Sequence, residues 1–275
     1  MIVLDKDEKL LLITQLEHQE IAGQLASLWG NSQFSKPEPF RAMVVAAGNH
    51  DIGWWNSDTH PAKNPSTGLP YTFTELPVLE WLQMYRGGID RIAELDPYEG
   101  LMVCMHGVGL RKNRYDTVPA TDRKDTLSPK EKKSVRDYIL SGERLQAKLR
   151  KKISVDPQYK RYSSEERIWT NYKLVQVWDR LSLHFCSDGI LGGIARGILA
   201  PVPVRYGLDD IQIRLEKIAA RQFSITPFPF SSSPIQLLLR ARYIPKTRYH
   251  TEEDLRRAYY DAEINTLTVE IRNTN

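Results

Sequence analysis

Two patterns of apolar and polar residues divide the chain. Through roughly the first two hundred residues, apolar side chains recur three and four positions apart, which is the spacing of amphipathic helices. A serine or threonine followed three residues later by glutamate predicts helix starts at Thr14, Ser35, Ser128 and Ser163. From Arg205 onward, apolar and polar residues alternate with a period of two, which predicts strands.

The predicted strands lie at the two ends of the chain. Residues 1–14 predict a hairpin, because two apolar runs flank a polar stretch. Further strands are predicted at Ile211–Leu215, Gln236–Ile244 and Leu267–Ile271. Neither group is large enough to bury a face alone, so we expect the two groups to pair.

These elements predict a mainly α fold, α+β overall. We expect a helical bundle that carries a small antiparallel sheet, built from the N-terminal hairpin and the C-terminal strands. In this prediction residues 14–199 form the helical domain, and residues 1–13 and 200–275 form the β layer packed on it.

Composition places the chain among ordinary globular proteins. Of its 275 residues, 41% are hydrophobic and 26% are charged. The chain contains no apolar run of membrane-spanning length, and Met1–Asp5 lacks the layout of a signal peptide, so we expect a cytoplasmic protein without a membrane partner. The net charge of +4 is too small to indicate a nucleic-acid partner. The two cysteines are expected to be reduced core residues.

Five polar residues lie on predicted apolar helix faces or at their ends. They are His18, His50, Asp51, His106 and Asp179. A lone histidine in such a place is more often a core residue held by a hydrogen bond, and a lone aspartate more often pairs with a cation, here the adjacent Arg180. Together, two imidazoles and two carboxylates make a mixed nitrogen and oxygen site suited to a divalent Mn, Fe, Co, Ni, Zn or Mg ion.

The order of these residues resembles a known signature. The matching stretches are Gln15–His18, Asn49–Trp54 and Gln176–Ser182. A histidine, then a His-Asp pair, then a distant aspartate on helices is similar to the HD superfamily of metal-dependent phosphohydrolases. The whole chain also resembles an uncharacterised bacterial family, a domain of unknown function, through the Gln-x-x-His opening, the His-Asp-x-Gly-Trp core and a late Pro-Phe pair, Pro229–Phe230.

The resemblance implies a site and an activity. By position, His18, His50, Asp51 and Asp179 match the metal ligands of the superfamily, and the helical domain would be HD-like. The implied activity is metal-dependent hydrolysis of a phosphoester or nucleotide-like small molecule. His106, Arg180 and Lys173 are then candidates to position the phosphate or to protonate the leaving group.

Two departures from the superfamily keep other functions open. The interval between Asp51 and Asp179 is long, so residues 111–163 are expected to loop out as an insertion, of which the polar residues 111–127 are predicted to be an exposed loop. Only His106 lies where some members place extra histidines for a second metal. The alternatives are a non-catalytic HD-like module that binds a small ligand, and a di-iron oxygenase. The sequence also leaves a homo-oligomer open.

Overall fold

A computed structural model of the protein describes residues 1–117 and 127–273. The helices are α1 (Gln15–Leu28), α2 (Phe40–Ala47), α3 (Trp55–Thr59), α4 (Val78–Leu95), α5 (Pro97–Arg111), α6 (Pro129–Val155), α7 (Glu165–Cys186) and α8 (Glu252–Asp261). The strands are β1 (Ile2–Lys6), β2 (Lys9–Ile13), β3 (Ile198–Val202), β4 (Ile211–Ala219), β5 (Gln222–Thr226), β6 (Ile235–Pro245) and β7 (Ile264–Asn273). The predicted polar loop at 111–127 falls largely on residues 118–126, outside the described residues.

The strands form one seven-stranded sheet in the order β1-β2-β6-β7-β5-β4-β3. The N-terminal hairpin joins the C-terminal strands because β2 pairs antiparallel with β6. The sheet is mixed, because β5 and β7 pair in parallel while every other pair of neighbouring strands in the sheet is antiparallel. Among the described residues, no helix is both long and apolar enough to cross a membrane.

The predicted fold class is therefore wrong. The protein is an α+β fold with a large mixed sheet, and not a mainly α, HD-like helical bundle with a small antiparallel one. The sequence pattern missed β3 and β5, and it shortened β4, which has nine residues. The proposed division into residues 14–199 and residues 1–13 with 200–275 stays a prediction, although one apolar cluster includes both helix and sheet residues.

The helix starts depend on local capping chemistry. Thr14 and Ser128 cap α1 and α6 through their hydroxyls, as predicted. The start predicted at Ser35 is wrong, because α2 begins only at Phe40. Proline disfavours helical geometry at the residue before it, so Pro39 prevents a helix from running through Glu38. The start of α7 is capped by Ser164, one residue after the predicted position.

Aromatic packing fixes α1 against α7. Trp29 at the end of α1 meets Trp178 of α7 edge to face, with ring centroids 5.9 Å apart. Phe34 and Phe230 contact the same indole at 5.7 Å. Such pairs add about 0.5–1.5 kcal/mol each beyond their buried area. This packing sets the relative position of the helices that carry His18 and Asp179.

Helix α4 lies close against the turn that follows Asp51. A Cβ atom on Gly88 would stand 2.6 Å from the backbone nitrogen of Gly53 and 2.8 Å from its Cα. We expect Gly88→Ala to lower the free energy of unfolding by about 1–3 kcal/mol, because the backbone at Gly53 must shift. Urea unfolding measures this loss.

The neighbouring glycine of α4 supplies a matched control. A Cβ atom on Gly87 meets nothing within 4 Å, so Gly87→Ala should stabilise the helix by about 0.5–1 kcal/mol. Similar free-energy changes for the Gly87 and Gly88 variants would contradict the close approach.

Candidate metal centre

Five buried polar residues meet where α1, α5, α7 and the turn after α2 come together. The helices supply His18, His106 and Asp179, and the turn supplies His50 and Asp51. Each residue is no more than 5% exposed. Burial of so many titratable groups is costly unless their charges and lone pairs find partners. The structure therefore brings together all four predicted metal ligands and His106.

Four atoms point toward one another in this cluster. They are Nε2 of His18, Nε2 of His50, Oδ2 of Asp51 and Oδ1 of Asp179, called the four-atom cluster below. The two Nε2 atoms are 3.1 Å apart, and they lie 3.2 and 3.5 Å from Asp179 Oδ1. Asp51 Oδ2 lies 3.7 and 3.8 Å from the same two nitrogens.

These separations suit a shared metal ion. An ion with bonds of about 2.0–2.2 Å to nitrogen and oxygen holds its neighbouring ligand atoms roughly 2.8–3.6 Å apart. Three of the five distances, all among His18, His50 and Asp179, fall in this range, and the two to Asp51 exceed it. His50, Asp51 and His106 form a second buried group of ligand atoms that lie close enough together to hold an ion. The donor atoms also fit the predicted set of divalent ions, since imidazole and carboxylate suit Mn, Fe, Co, Ni, Zn and Mg between them.

The hydrogen bonds of the two imidazoles determine which nitrogens carry protons. Nδ1 of His50 lies 2.7 Å from the carbonyl oxygen of Ala47, which can only accept, so this nitrogen is protonated. The hydroxyl of Ser182 donates to the Asp179 carbonyl and lies within hydrogen-bond distance of Nδ1 of His18, both at 2.9 Å. Neutral His50 therefore presents its Nε2 lone pair to the cluster, and neutral His18 does the same when its Nδ1 donates to Ser182. A cation placed between the two nitrogens would bind both lone pairs.

Each carboxylate is also held by a hydrogen bond to its outer oxygen, which is the oxygen that does not belong to the four-atom cluster. Tyr85 donates its hydroxyl proton to Oδ1 of Asp51 and accepts from the indole of Trp54 at 3.3 Å. Arg114 donates to Oδ2 of Asp179 at 2.8 Å. All four candidate ligands thus have an outer partner that fixes their orientation, as is usual around bound metals.

His106 has a different hydrogen-bond arrangement. Arg114 donates to Oε1 of Gln176, which fixes the amide so that its NH₂ group faces His106. Nδ1 of His106, 3.2 Å from that amide nitrogen, is then the acceptor, and Nε2 carries the proton. This Nε2 faces Oδ1 of Asp51 at 3.4 Å, a weak contact that leaves it without a regular hydrogen bond.

Burial and the neighbouring charges shift the acidities in the centre. Burial opposes ionisation of Asp51, but the field of His50 and contacts with His106 outweigh it and bring the pKa of Asp51 to about 2. Burial also opposes ionisation of Asp179, yet Arg114 holds the pKa of that carboxyl well below its usual range. Burial lowers the pKa of His106 and favours its neutral form. For His50, the nearby carboxylates overcome burial and raise the pKa.

Comparison with known families identifies the chain. Residues 1–246 match the model of DUF3891, described as a protein of unknown function. The chain belongs to the DUF3891 family. Searches of curated proteins and of solved structures found no match. Membership supports the predicted resemblance to an uncharacterised family, while the likeness to the HD superfamily remains a proposal.

The other two predicted site residues of this DUF3891 chain lie outside the four-atom cluster. The guanidinium of Arg180 donates to the carbonyl oxygens of Gly192, Gly193 and Ala200, at 2.8–3.1 Å. Lys173 pairs with Asp210. Arg180 does not face Asp179, because consecutive helical residues point in different directions.

A small pocket lies beside the centre of the DUF3891 chain. It takes in about 180 Å³ when open solvent is included, has no room for a water molecule as it stands, and is lined by Thr117, Lys173, Gln176, Val177, Arg180 and Pro201. Gln176 belongs both to this pocket and to the hydrogen bonds around His106. The pocket therefore reaches the outer face of the metal centre, and two of the predicted site residues form part of its wall.

Sequence reasoning missed two residues of the centre. Arg114 comes from a polar stretch that was predicted to be an exposed loop, and Tyr85 occupies an ordinary position on the apolar face of α4. Neither residue interrupts a periodic apolar face. Arg114 reaches Asp179 from a turn in which residues 113–116 all have positive φ, a conformation that sequence spacing does not predict.

Proposed function

We propose that this protein is a metal-dependent hydrolase of the HD type that acts on a phosphoester, such as a nucleotide-like small molecule. The observation that carries the proposal is the four-atom cluster, in which two imidazole lone pairs and two carboxylate oxygens converge. The outer side of each ligand is already held by Ser182, Ala47, Tyr85 or Arg114. This arrangement supports one divalent Mn, Fe, Co, Ni, Zn or Mg ion as the cofactor.

In this proposal four residues of the centre bind the metal ion and His106 acts as a hydrogen-bond donor. His18, His50, Asp51 and Asp179 hold the ion. When bound, such an ion lowers the pKa of a coordinated water and neutralises charge on a phosphoryl oxygen. His106 stays neutral because it is buried, and it presents an Nε2–H bond to an oxygen of the substrate or leaving group.

The proposed route to the centre runs past Gln176, where the side chains that line the pocket must move apart to admit a substrate. Lys173 and Arg180 in the pocket wall give that side a positive charge suited to a phosphorylated molecule. Lys173 would exchange Asp210 for the phosphate, whereas Arg180 keeps its carbonyl partners and contributes through its field. The identity of the substrate beyond a phosphoester, and any homo-oligomer, remain predictions from the sequence.

Metal-reconstituted protein tests this function. Chelator-stripped protein is reloaded separately with Mn²⁺, Co²⁺, Ni²⁺, Zn²⁺ and Mg²⁺, and phosphate release is measured from p-nitrophenyl phosphate and a panel of nucleoside monophosphates. We expect turnover with at least one metal, no turnover after stripping, and loss of turnover in Asp51→Asn. The exposed His60 provides a control, because His60→Ala removes an imidazole outside the centre.

Other outcomes favour the alternative functions. Tight metal binding without turnover of any phosphoester would contradict the hydrolase and favour a ligand-binding module. Two bound irons with oxygen consumption would favour the di-iron oxygenase.

A further inference from the structure

Arg114 occupies the outer oxygen of Asp179, which a second metal ion bridged to the first by that carboxylate would need. In two-metal sites the ions lie about 3.5–4 Å apart, and a shared carboxylate commonly bridges them through both oxygens. Here Oδ1 of Asp179 belongs to the four-atom cluster, while Oδ2 accepts a hydrogen bond from Arg114 at 2.8 Å. Arg114 is only partly buried, with 18% of its side chain exposed, whereas Asp179 is buried. The guanidinium therefore supplies a fixed positive charge on the side of Asp179 that faces away from the two imidazoles.

The same arginine also controls His106, the one further histidine beside the cluster. Its second hydrogen bond goes to Oε1 of Gln176 and turns the amide NH₂ group toward Nδ1 of His106. The proton of the neutral imidazole then sits on Nε2, which points into the centre. His106 lies with His50 and Asp51 in the second group of buried ligand atoms. A protonated nitrogen has no lone pair for a metal, so in this tautomer His106 is a donor and cannot complete that group.

The charges of the centre also oppose a second divalent ion. Two carboxylates, Asp51 and Asp179, lie beside one guanidinium, that of Arg114, so these side chains sum to −1. One divalent ion brings the sum to +1, and a second would bring it to +3 in a buried site. Uncompensated charge of that size is strongly disfavoured away from water.

We propose that Arg114 is a positioning residue that restricts this centre to a single metal ion. It takes the place of a second cation at Asp179, and through Gln176 it holds His106 in the tautomer that cannot coordinate. This inference rests on the proposed metal site. It extends that proposal by naming the residues that set the number of ions.

The number of bound ions tests this role without an activity assay. Chelator-stripped wild-type protein is titrated with Mn²⁺, and bound metal is counted by elemental analysis and followed by electron paramagnetic resonance. We expect one equivalent with the signal of isolated ions. His106→Ala should retain one equivalent with an affinity within a few-fold of wild type.

A double variant should allow a second ion to bind, because it frees Asp179 and changes the tautomer of His106. In Arg114→Met with Gln176→Glu, the outer oxygen of Asp179 is released, and a carboxylate accepts from Nδ1 of His106, so its Nε2 lone pair faces the centre. We expect a second Mn²⁺ equivalent and exchange coupling between the two ions. Matched controls are Arg150→Met and Gln158→Glu, which change the same residue types away from the centre and should keep one equivalent.

Several outcomes would overturn the inference. Two coupled Mn²⁺ ions in the wild type, or loss of the single equivalent in His106→Ala, would contradict it while leaving a metal site in place. A folded double variant, as judged by circular dichroism, that still binds one equivalent would also contradict it. Wild-type protein that binds no Mn²⁺, Co²⁺, Ni²⁺ or Zn²⁺ would instead refute the proposed metal site itself.

Discussion

Alanine in place of His50 should leave a folded protein that no longer binds a divalent ion tightly. The variant removes one of two nitrogens in the four-atom cluster, and three atoms remain to hold the ion. Loss of an outer partner alone typically costs 10–100-fold in metal affinity, so loss of a ligand should raise the dissociation constant by more than about 100-fold. Isothermal titration with Mn²⁺ or Ni²⁺ measures the change.

The stability of the His50 variant separates metal loss from unfolding. Its imidazole is buried and donates to Ala47, so the substitution should cost about 1–3 kcal/mol in chelator. His184→Ala is a suitable control, because this buried histidine contacts the Leu191 carbonyl and not the cluster. Unchanged metal affinity in His50→Ala would show that His50 is not a ligand.

Asparagine in place of Asp179 should destabilise the protein both without and with metal. Without metal, the substitution leaves Arg114 facing a neutral amide. Breaking a buried ion pair costs about 3–5 kcal/mol, and because Arg114 is partly exposed we expect about 2–4 kcal/mol here. With metal at a hundred times its dissociation constant, wild type gains about 2.7 kcal/mol that the variant largely loses. Denaturant unfolding in chelator and in added Mn²⁺ measures both losses.

A surface aspartate provides the comparison for Asp179. Asp188 pairs with Lys217 at 2.8 Å on a partly exposed surface, so Asp188→Asn should change stability by about 0–1 kcal/mol in both conditions. If Asp179→Asn lost the same free energy with and without metal, and wild type showed no metal-dependent shift, Asp179 would be a structural partner of Arg114 alone.

The sign of the stability change expected for Asp179→Asn depends on Arg114. Two carboxylates in one site, Asp51 and Asp179, predict that removing a charge relieves repulsion in the metal-free protein. Arg114 reverses the expected sign of the stability change in Asp179→Asn, because its positive charge already offsets the negative charge of Asp179. The sequence could not supply this residue, since it lies far from Asp179 along the chain and on no helical stripe.

The four candidate ligands could be named from the sequence because each interrupts or ends an apolar face. A polar residue at a buried helix position interrupts the periodic run of apolar residues, and His18 and Asp179 do so in α1 and α7. Tyr85 does not, because an aromatic residue is expected on the buried face of α4. The tautomer of His106 depends on Gln176 and Arg114 together and is a property of the folded chain.

The sheet was predicted less well than the helical starts. Strand β3 contains Pro201, and proline in a short apolar segment argues against a strand unless tertiary pairing places it suitably. Strand β5 has five residues, and three consecutive ones are buried, so no alternation marks it. Its parallel pairing with β7 is non-local and cannot be deduced from turns. These missing strands explain why the β layer was predicted to be small and antiparallel.

Anomalous diffraction from crystals of the wild-type protein loaded with Mn²⁺ would locate the ion and its ligands. We expect one anomalous peak at bonding distance, about 2.0–2.2 Å, from Nε2 of His18, Nε2 of His50, Oδ2 of Asp51 and Oδ1 of Asp179. Arg114 should remain on the outer oxygen of Asp179 in that structure. Mn²⁺-loaded crystals with no peak between these four atoms, or with the peak elsewhere on the protein, would contradict the proposed metal site.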